Sequence, residues 1–224
     1  MNGRRIGLLV LLIGALAACL SLLRTETSAD SPRRSRQLVL HFTLSRVESP
    51  IIVLGDSIVE ASTLPRVLCG HPVVNAGLSG ASTTSDLGTW LLEALDGKQA
   101  TSIVVSLGTN DALAAVQSRQ QFETSYSALL AQLSKATTHV VVLGIPPVDA
   151  VGRVTVEMQA EAMRWIDDYN SVLPGLAAKS GATFVALPPM PKPHTIDGVH
   201  MNAAGNAAWE NAVIQGASKT CGSS

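Results

Sequence analysis

The chain has 224 residues and a mass of 23.3 kDa, which corresponds to one medium-sized domain with room for a short extension. Apolar residues make up 46% of the chain, enough for a full hydrophobic core, so global disorder is excluded. The formal charge of −1 and the aromatic content of 4% argue against a nucleic-acid-binding protein, which needs a basic surface or stacking side chains.

The charge is distributed unevenly along the chain. Residues 1–46 carry seven arginines against two acidic residues, whereas residues 47–224 carry nine basic residues against fifteen acidic ones. The basic start and the acidic remainder are therefore expected to be regions with different roles.

The N-terminus has the pattern of an export signal. Arg4 and Arg5 precede an apolar run of eighteen residues, close to the minimum length for crossing a bilayer. Leu-Ala-Ala-Cys at 16–19 resembles a bacterial lipobox, in which Cys19 would be lipidated. An uncleaved signal anchor, or an anchor inverted by the arginines that follow the run, are the alternatives. Residues 1–23 are thus predicted to be a lipoprotein signal or membrane anchor, and the protein to be extracytoplasmic (periplasmic) and membrane-tethered.

The next segment, residues 24–49, mixes arginine, serine, threonine, glutamate and proline and is predicted to be a tether. Within it, residues 38–44 could form a short strand or helix. An exported location would allow Cys69 and Cys221 to form a disulfide bond. Both could equally remain free thiols, because the sequence does not give the distance between them.

From residue 50 onward, short β-branched runs alternate with longer helical segments. Most of the short runs are continuously apolar, as expected for parallel strands covered on both faces. The alternation predicts an α/β fold, a three-layer α/β/α sandwich around a five-stranded parallel sheet. The predicted strands are 51–54, 72–75, 102–107, 139–143 and 183–185, and the predicted helices are 83–96, 119–135, 155–179 with an interruption at Pro174-Gly175, and 203–218 with Asn202 as its N-cap.

Small and polar residues follow the predicted strands, at the sheet edge where α/β proteins bind their ligands. Ser57 follows the first strand, and its hydroxyl becomes a nucleophile only if a positioned base removes the proton. His200 is the best candidate base, since imidazole changes its charge near neutral pH, and Asp197 can bond its other ring nitrogen. The amides of Ser57 and Gly80 and the side chain of Asn110 are candidate donors to an oxyanion.

Four strand-end blocks carry a family resemblance. Gly-Asp-Ser-Ile at 55–58, the block ending at Gly80, Gly-Thr-Asn-Asp at 108–111 and Asp-Gly-Val-His at 197–200 resemble, in order, the signature blocks of the SGNH (GDSL-type) hydrolases. The resemblance extends over about residues 50–215. It implies a flavodoxin-like hydrolase domain over residues 50–224.

The resemblance also implies residue roles. Ser57 would be the nucleophile and an oxyanion donor, Gly80 and Asn110 would complete the oxyanion hole, and Asp197 would support His200 as the base. The implied activity is that of a serine esterase acting on carboxylic ester or thioester bonds of small molecules, lipids or glycans. The alternatives are an envelope polysaccharide O-acyltransferase or deacetylase with the same triad, and a non-catalytic binding module that keeps the fold.

No metal or cofactor is predicted. His194, Asp197 and His200 recur every three residues and could suggest a metal site, but they lie in a loop-like segment without further candidate ligands. The sequence contains neither a dinucleotide-binding GxGxxG motif nor a P-loop.

Overall fold

The structure is a computed structural model that describes residues 31–221. Contacts divide the described chain between a unit that ends at Val39 and a compact unit that begins at Leu40. The predictions for residues 1–23, including lipidation of Cys19, lie outside the described residues. Between residues 31 and 221, no helix is both long enough and apolar enough to cross a membrane.

A six-stranded sheet forms the centre of the second unit, in the order β2-β3-β1-β4-β5-β6. All neighbouring pairs are parallel except β2 and β3, so the predicted α/β fold is confirmed with one additional strand. The extra strand, β2, has only two residues, too few to produce an apolar pattern in the sequence. The strands are β1 (Ile51–Gly55), β2 (Val67–Leu68), β3 (His71–Gly77), β4 (Ser102–Ser106), β5 (Val140–Leu143) and β6 (Thr183–Val185).

The central strands are buried because both faces of the sheet are covered. In β1, Ile52 and Leu54 belong to one buried apolar cluster, while Ile51 and Val53 belong to a second cluster on the opposite face. This alternation places a core on each side of the sheet, as in a three-layer sandwich. All five residues of β1 and of β4 are buried, which explains the uninterrupted apolar sequence of β1 and the apolar centre of β4 between Ser102 and Ser106.

Helices connect the strands and cover both faces of the sheet. The predicted helix after residue 202 is confirmed, since the side chain of Asn202 accepts a hydrogen bond from the amide of Gly205 and caps it. The helices are α1 (Ser31–Ser45), α2 (Ser57–Ala61), α3 (Leu87–Leu95), α4 (Thr109–Ala114), α5 (Arg119–Leu133), α6 (Val156–Ser180) and α7 (Ala203–Ser218).

Helix α6 continues through Pro174, so the predicted interruption at that point is wrong. Proline removes a helix hydrogen bond and its ring clashes with the carbonyl four residues earlier, which normally ends or kinks a helix. Here Leu173 and Leu176 are buried on either side of Pro174. One turn earlier, Oδ1 of Asn170 accepts a hydrogen bond from the amide of Ile145 at 2.8 Å. Nδ2 of Asn170 donates a hydrogen bond to the carbonyl of Ile145 at 3.0 Å. These contacts hold the helix on the sheet on both sides of the proline.

The segment predicted as a tether contains helix α1, and the compact unit begins at Leu40 rather than at residue 50. Leu40 and Leu44, four residues apart, are buried in the larger apolar cluster. Their spacing places both side chains on the same helix face, so the last turns of α1 belong to the packed domain. The arginines that precede them gave this stretch the average composition of a linker.

A disulfide bond joins Cys69 and Cys221, with their Cα atoms 6.0 Å apart. Cys69 lies in the tight turn between β2 and β3, and Cys221 follows the end of α7. The bond connects residues that are 152 positions apart in the sequence.

Candidate active site

The sheet topology brings the predicted site residues to one edge. β1 lies between β3 and β4, so the connections that leave β1 and β4 open a crevice at the carboxyl ends of these strands. Ser57 is the first residue after the turn that ends β1, and Asn110 lies in the first turn of α4, which follows β4.

Ser57 is positioned by the short helix α2, which begins with it. The side chain of Asp56 accepts a hydrogen bond from the amide of Ile58 at 2.9 Å and caps this helix. Because Ser57 is the first helical residue, its own amide has no partner within the helix. The serine therefore presents both a hydroxyl and an amide at the sheet edge.

His200 and Asp197 lie on the loop before α7, and the structure brings both to Ser57. The Nε2 atom of His200 lies 3.0 Å from Oγ of Ser57, and its Nδ1 atom lies 2.7 Å from Oδ2 of Asp197. A neutral imidazole that donates from Nδ1 to the carboxylate keeps Nε2 as the acceptor for the serine proton. The three predicted residues thus form a continuous hydrogen-bonded series.

The carboxylate of Asp197 is held by its own loop. Its Oδ1 atom accepts hydrogen bonds from the amides of Val199 at 3.0 Å and His200 at 2.8 Å. Burial acts to raise the pKa of Asp197, but the hydrogen bonds from the His200 side chain and from these amides lower the pKa to about 2. Asp197 is therefore ionised at neutral pH and can orient the imidazole.

The predicted oxyanion donors come from three different loops. The side-chain amide of Asn110 donates to the carbonyl of Ala81 at 2.8 Å, which joins its loop to the one that carries Gly80. An amide nitrogen has two protons, so one remains for a ligand. Among residues 31–221, no hydrogen bond engages the amide of Ser57 or Gly80. Together these groups can supply three donors to a developing oxyanion.

A buried polar network fixes the loop of Asn110, and sequence reasoning did not identify it. Oδ1 of Asp111 accepts hydrogen bonds from the amide and the hydroxyl of Thr83, at 3.1 and 2.6 Å, and from the side chain of Gln117. Asp111 is 1% exposed and Thr83 is 5% exposed. Burial raises the pKa of Asp111, against the lowering effect of these hydrogen bonds. The position of Asp111 next to Asn110 in the Gly-Thr-Asn-Asp block is the only sequence signal for this role.

A second histidine–aspartate pair lies at the start of the same loop. His194 is 2% exposed, and its Nδ1 atom lies 3.1 Å from Oδ1 of Asp149. The only sequence feature that indicates a role for His194 is its spacing from His200. No sequence feature indicates that Asp149 is its partner.

The proposed reacting groups are open to solvent. The side chain of His200 is 38% exposed and that of Asp197 is 44% exposed. Ile196, on the same loop, is 69% exposed. A ligand can therefore approach the hydroxyl of Ser57 without entering an enclosed cavity.

Comparisons with known proteins agree with the observed fold. The model of the GDSL-like lipase/acylhydrolase family matches residues 53–208. A structure from Streptococcus pneumonia, named provisionally as a platelet activating factor, is 25% identical with a TM-score of 0.65, over 90% of this chain and 99% of that chain.

Two further solved structures share the fold at lower identity. A lipase/acylhydrolase from Enterococcus faecalis is 19% identical with a TM-score of 0.59, over 74% of this chain and 93% of that chain. A catalytic mutant of an acetylxylan esterase from Geobacillus stearothermophilus is 17% identical with a TM-score of 0.57, over 75% of this chain and 94% of that chain. A comparison with curated sequences found no match. Because the family model covers more than half of the chain, the protein belongs to the GDSL-like lipase/acylhydrolase family.

Proposed function

We propose that this ester-hydrolysing enzyme uses Ser57 as a nucleophile, His200 as the general base and Asp197 as the group that orients the base. The observation that carries the proposal is the pair of hydrogen bonds, at 3.0 and 2.7 Å, that joins the three side chains. The 3.0 Å distance between Ser57 and His200 is within the range in which a base can take a proton from a nucleophile, and the 2.7 Å distance to Asp197 allows that carboxylate to orient the base. Among solved relatives, the catalytic mutants of an acetylxylan esterase replace a serine or a histidine by alanine.

The reaction proceeds in two half-reactions. Oγ of Ser57 forms a bond to the carbonyl carbon of the ester while its proton moves to Nε2 of His200. The bond between the carbonyl carbon and the alcohol oxygen then breaks, and His200 returns the proton to the leaving alcohol. Water repeats the sequence on the acyl-enzyme, which releases the free acid and restores the serine hydroxyl.

The negative charge that develops on the carbonyl oxygen needs donors. We assign these to the amides of Ser57 and Gly80 and to the side chain of Asn110. Removal of one such donor in other serine hydrolases costs about 3 to 4 kcal/mol of transition-state stabilisation. The contact of Asn110 with the carbonyl of Ala81 supports this assignment, because it orients the side chain before substrate arrives.

We infer that the substrate is a carboxylic ester with a short acyl group on a small molecule or a glycan, by analogy with the acetylxylan esterase. The partly exposed His200 and Asp197 admit an ester attached to a bulky alcohol. Acetylated xylan is the substrate named for one structural relative. Lipid esters, thioesters and acyl transfer to a sugar are the competing chemistries.

We also infer an extracytoplasmic location with the N-terminus at the membrane. The Cys69–Cys221 disulfide supports export, since disulfides persist mainly in oxidising compartments. A mass measurement of the mature N-terminus tests the tether: a lipidated Cys19 indicates a lipoprotein, and an intact Met1 indicates an uncleaved anchor.

The test of the proposed activity is hydrolysis of an ester series of increasing acyl length, with acetylated sugars and acyl thioesters included. We expect Ser57→Ala to lower kcat by at least about 1,000-fold on every substrate that the wild type cleaves, because the covalent step is lost. The matched control is Ser134→Ala, which removes a serine hydroxyl that bonds its own helix at the end of α5.

The outcomes separate the candidate activities. Labelling of Ser57 by a fluorophosphonate, together with loss of turnover in Ser57→Ala alone, supports the proposal. Wild-type turnover in the purified Ser57→Ala variant contradicts it. Transfer products that replace free acid when sugar acceptors are added indicate an acyltransferase, and a folded wild type that neither reacts nor labels indicates a binding module.

A further inference from the structure

We propose that Asp149 is a positioning residue that holds the catalytic loop, residues 194–200, in the geometry that brings His200 to Ser57. The inference rests on the proposed function and adds to it a residue outside the four sequence blocks. Asp149 lies in the connection between β5 and α6, so it belongs to a different part of the chain from the loop that it contacts.

Asp149 makes contacts near both ends of the catalytic loop. Its Oδ2 atom accepts hydrogen bonds from the amides of His194 at 2.8 Å and Thr195 at 3.0 Å, and from the Thr195 hydroxyl at 2.8 Å. Its backbone amide donates to the carbonyl of Gly198 at 3.0 Å, between Asp197 and His200. A single residue therefore holds the entry of the loop and the turn that carries the two catalytic side chains.

The imidazole of His194 lies beside the same carboxylate, and its Nδ1 atom makes no hydrogen bond within residues 31–221. Its Nε2 atom lies 2.9 Å from the carbonyl oxygen of Pro147, and its Nδ1 atom lies 3.1 Å from Oδ1 of Asp149. Burial acts to raise the pKa of Asp149, but the hydrogen bonds from Thr195 and His194 outweigh it and lower the pKa. Asp149 is thus ionised at neutral pH and is a strong acceptor for the donors of the loop.

The backbone of the connection between β5 and α6 also packs against the backbone of the catalytic loop. A Cβ atom added to Gly152, whose φ is +63°, would lie 2.9 Å from Cα of Asp197. One added to Gly198, whose φ is +100°, would overlap Cγ2 of Val154. Larger residues at either position would push the catalytic loop away, so the loop fits against this surface in one position.

The loop is closed on itself by two further backbone hydrogen bonds. The amide of Ile196 donates to the carbonyl of His200 at 2.8 Å, and the amide of Asn202 donates to the carbonyl of His194 at 2.9 Å. A shift at His194 or Thr195 is therefore transmitted to His200. Displacements of about 1 Å at reacting groups can cost about 100-fold in rate, so this support has a catalytic consequence.

The first test compares Asp149→Ala with Asp149→Asn, with kcat and KM measured on the best ester found for the wild type. We expect Asp149→Ala to lower kcat by about 100-fold while KM changes by less than about threefold, because the triad is misplaced and the binding surface is retained. Asparagine keeps an oxygen for the loop amides and offers an amide proton to Nδ1 of His194. We expect it to restore kcat to within about tenfold of the wild type.

A milder pair of variants covers the case in which Asp149→Ala does not fold. Thr195→Val removes only the hydroxyl that bonds Asp149, and we expect kcat to fall about tenfold. Thr137→Val is the matched control, because Thr137 is equally buried, at 4% exposure, and also makes hydroxyl contacts with backbone. Thr137 lies before β5, at the opposite end of the sheet, so kcat should remain at the wild-type value.

A third measurement does not depend on activity. The amides of Val199 and His200 donate to Asp197, so their hydrogen exchange reports the loop geometry. We expect exchange at both amides to accelerate at least tenfold in Thr195→Val and to remain unchanged in Thr137→Val.

The measurements distinguish the two proposals. Unchanged exchange and unchanged kcat in folded Asp149→Ala or in Thr195→Val overturn the positioning role of Asp149. Absence of hydrolysis and of Ser57 labelling in the wild type overturns the proposed function, and the exchange experiment then still decides whether Asp149 holds the loop.

Discussion

Two buried carboxyl groups, Asp56 and Asp111, flank the proposed nucleophile and oxyanion donors. Asp56 is 1% exposed, and its Oδ2 atom has no hydrogen-bond partner among the described residues. Burial, with a contribution from the negative charge of Asp111, raises the pKa of Asp56 to about 7, against the lowering effect of the hydrogen bond from the Ile58 amide. Burial therefore keeps Asp56 protonated in the folded protein below about pH 7, so that it adds no full negative charge beside the proposed oxyanion donors.

This burial makes the stability of the protein depend on pH. The usual pKa of an aspartate is 3.8, so between about pH 4 and pH 7 the folded state retains a proton that the unfolded state has lost. The free energy of unfolding therefore falls as pH rises through this window, by about 1.4 kcal/mol for each pH unit at most. Asparagine at position 56 keeps the oxygen that caps α2 and has no charge. We expect Asp56→Asn to reduce the loss of stability between pH 5 and pH 8 by a few kcal/mol.

Urea denaturation at a series of pH values measures this effect. The matched control is Asp96→Asn, which also removes one negative charge, from an exposed residue at the end of α3. If Asp56→Asn and the wild type lose the same stability between pH 5 and pH 8, the inference that Asp56 is buried in its neutral form is wrong.

At the scale of elements, helix α6 shows how packing overrides a local preference. The helix has 25 residues, with Pro174 and Gly175 exposed inside it. In isolation these two residues disfavour a helix by about 3 and 1 kcal/mol relative to alanine. Buried leucines on both sides, and the Asn170 side chain bonded to the backbone of Ile145, keep the helix continuous.

Alanine substitutions in this helix should therefore stabilise the protein. Gly175→Ala adds a Cβ atom with no heavy atom within 4 Å, and we expect a gain of about 1 kcal/mol in the free energy of unfolding. Pro174→Ala restores an amide donor for the carbonyl of Asn170, and we expect a larger gain of about 1 to 3 kcal/mol. Thermal and denaturant unfolding of the two variants measure both effects. A loss of stability in Pro174→Ala would show that the proline is required for the path of α6.

Packing between elements also explains which features could be predicted from the sequence. The buried strands β1 and β4 gave short apolar runs, each followed directly by the block that contains Ser57 or Asn110, whereas His200 was found from its own Asp-Gly-Val-His block. The short antiparallel β2 was not predicted, and α1 was predicted only as a short strand or helix over residues 38–44. Strand β2 has only two residues, and Leu40 and Leu44 of α1 are preceded by a run of arginines. Tertiary contacts stabilise both elements, and such contacts cannot be read from local composition.

The support of the active site was predictable only in part, for the same reason. Asp197 and His200 are three residues apart, and their pairing follows from local geometry on one loop. Asp149 lies 45 residues before His194, and the bond between them depends on how two connections pack. The residues proposed to perform chemistry lie in short blocks, whereas Asp149, proposed to position them, lies outside these blocks.

At the scale of the whole molecule, the disulfide connects two parts of the catalytic domain that lie far apart in the sequence. It joins the turn before β3 to the residues after α7 across a sequence separation of 152, and the segment between the two cysteines includes Gly80, Asn110, Asp197 and His200. Closing a loop of this length restricts the unfolded chain strongly, while the bond itself lies outside the hydrogen-bonded series of the site. Its removal should thus act on stability and leave the chemistry intact.

We therefore expect the double variant Cys69→Ser/Cys221→Ser to unfold with a free energy about 2 to 4 kcal/mol lower than that of the oxidised wild type. At temperatures where both are folded, kcat should change by less than about twofold, because none of the proposed catalytic contacts involves either cysteine. Denaturant unfolding with and without reductant, combined with ester hydrolysis, measures both quantities. Reductant should lower the stability of the wild type to that of the variant and leave the variant unchanged. Equal stability of the oxidised wild type and the variant would contradict a stabilising role, and a large fall in kcat would show that the bond also supports the site.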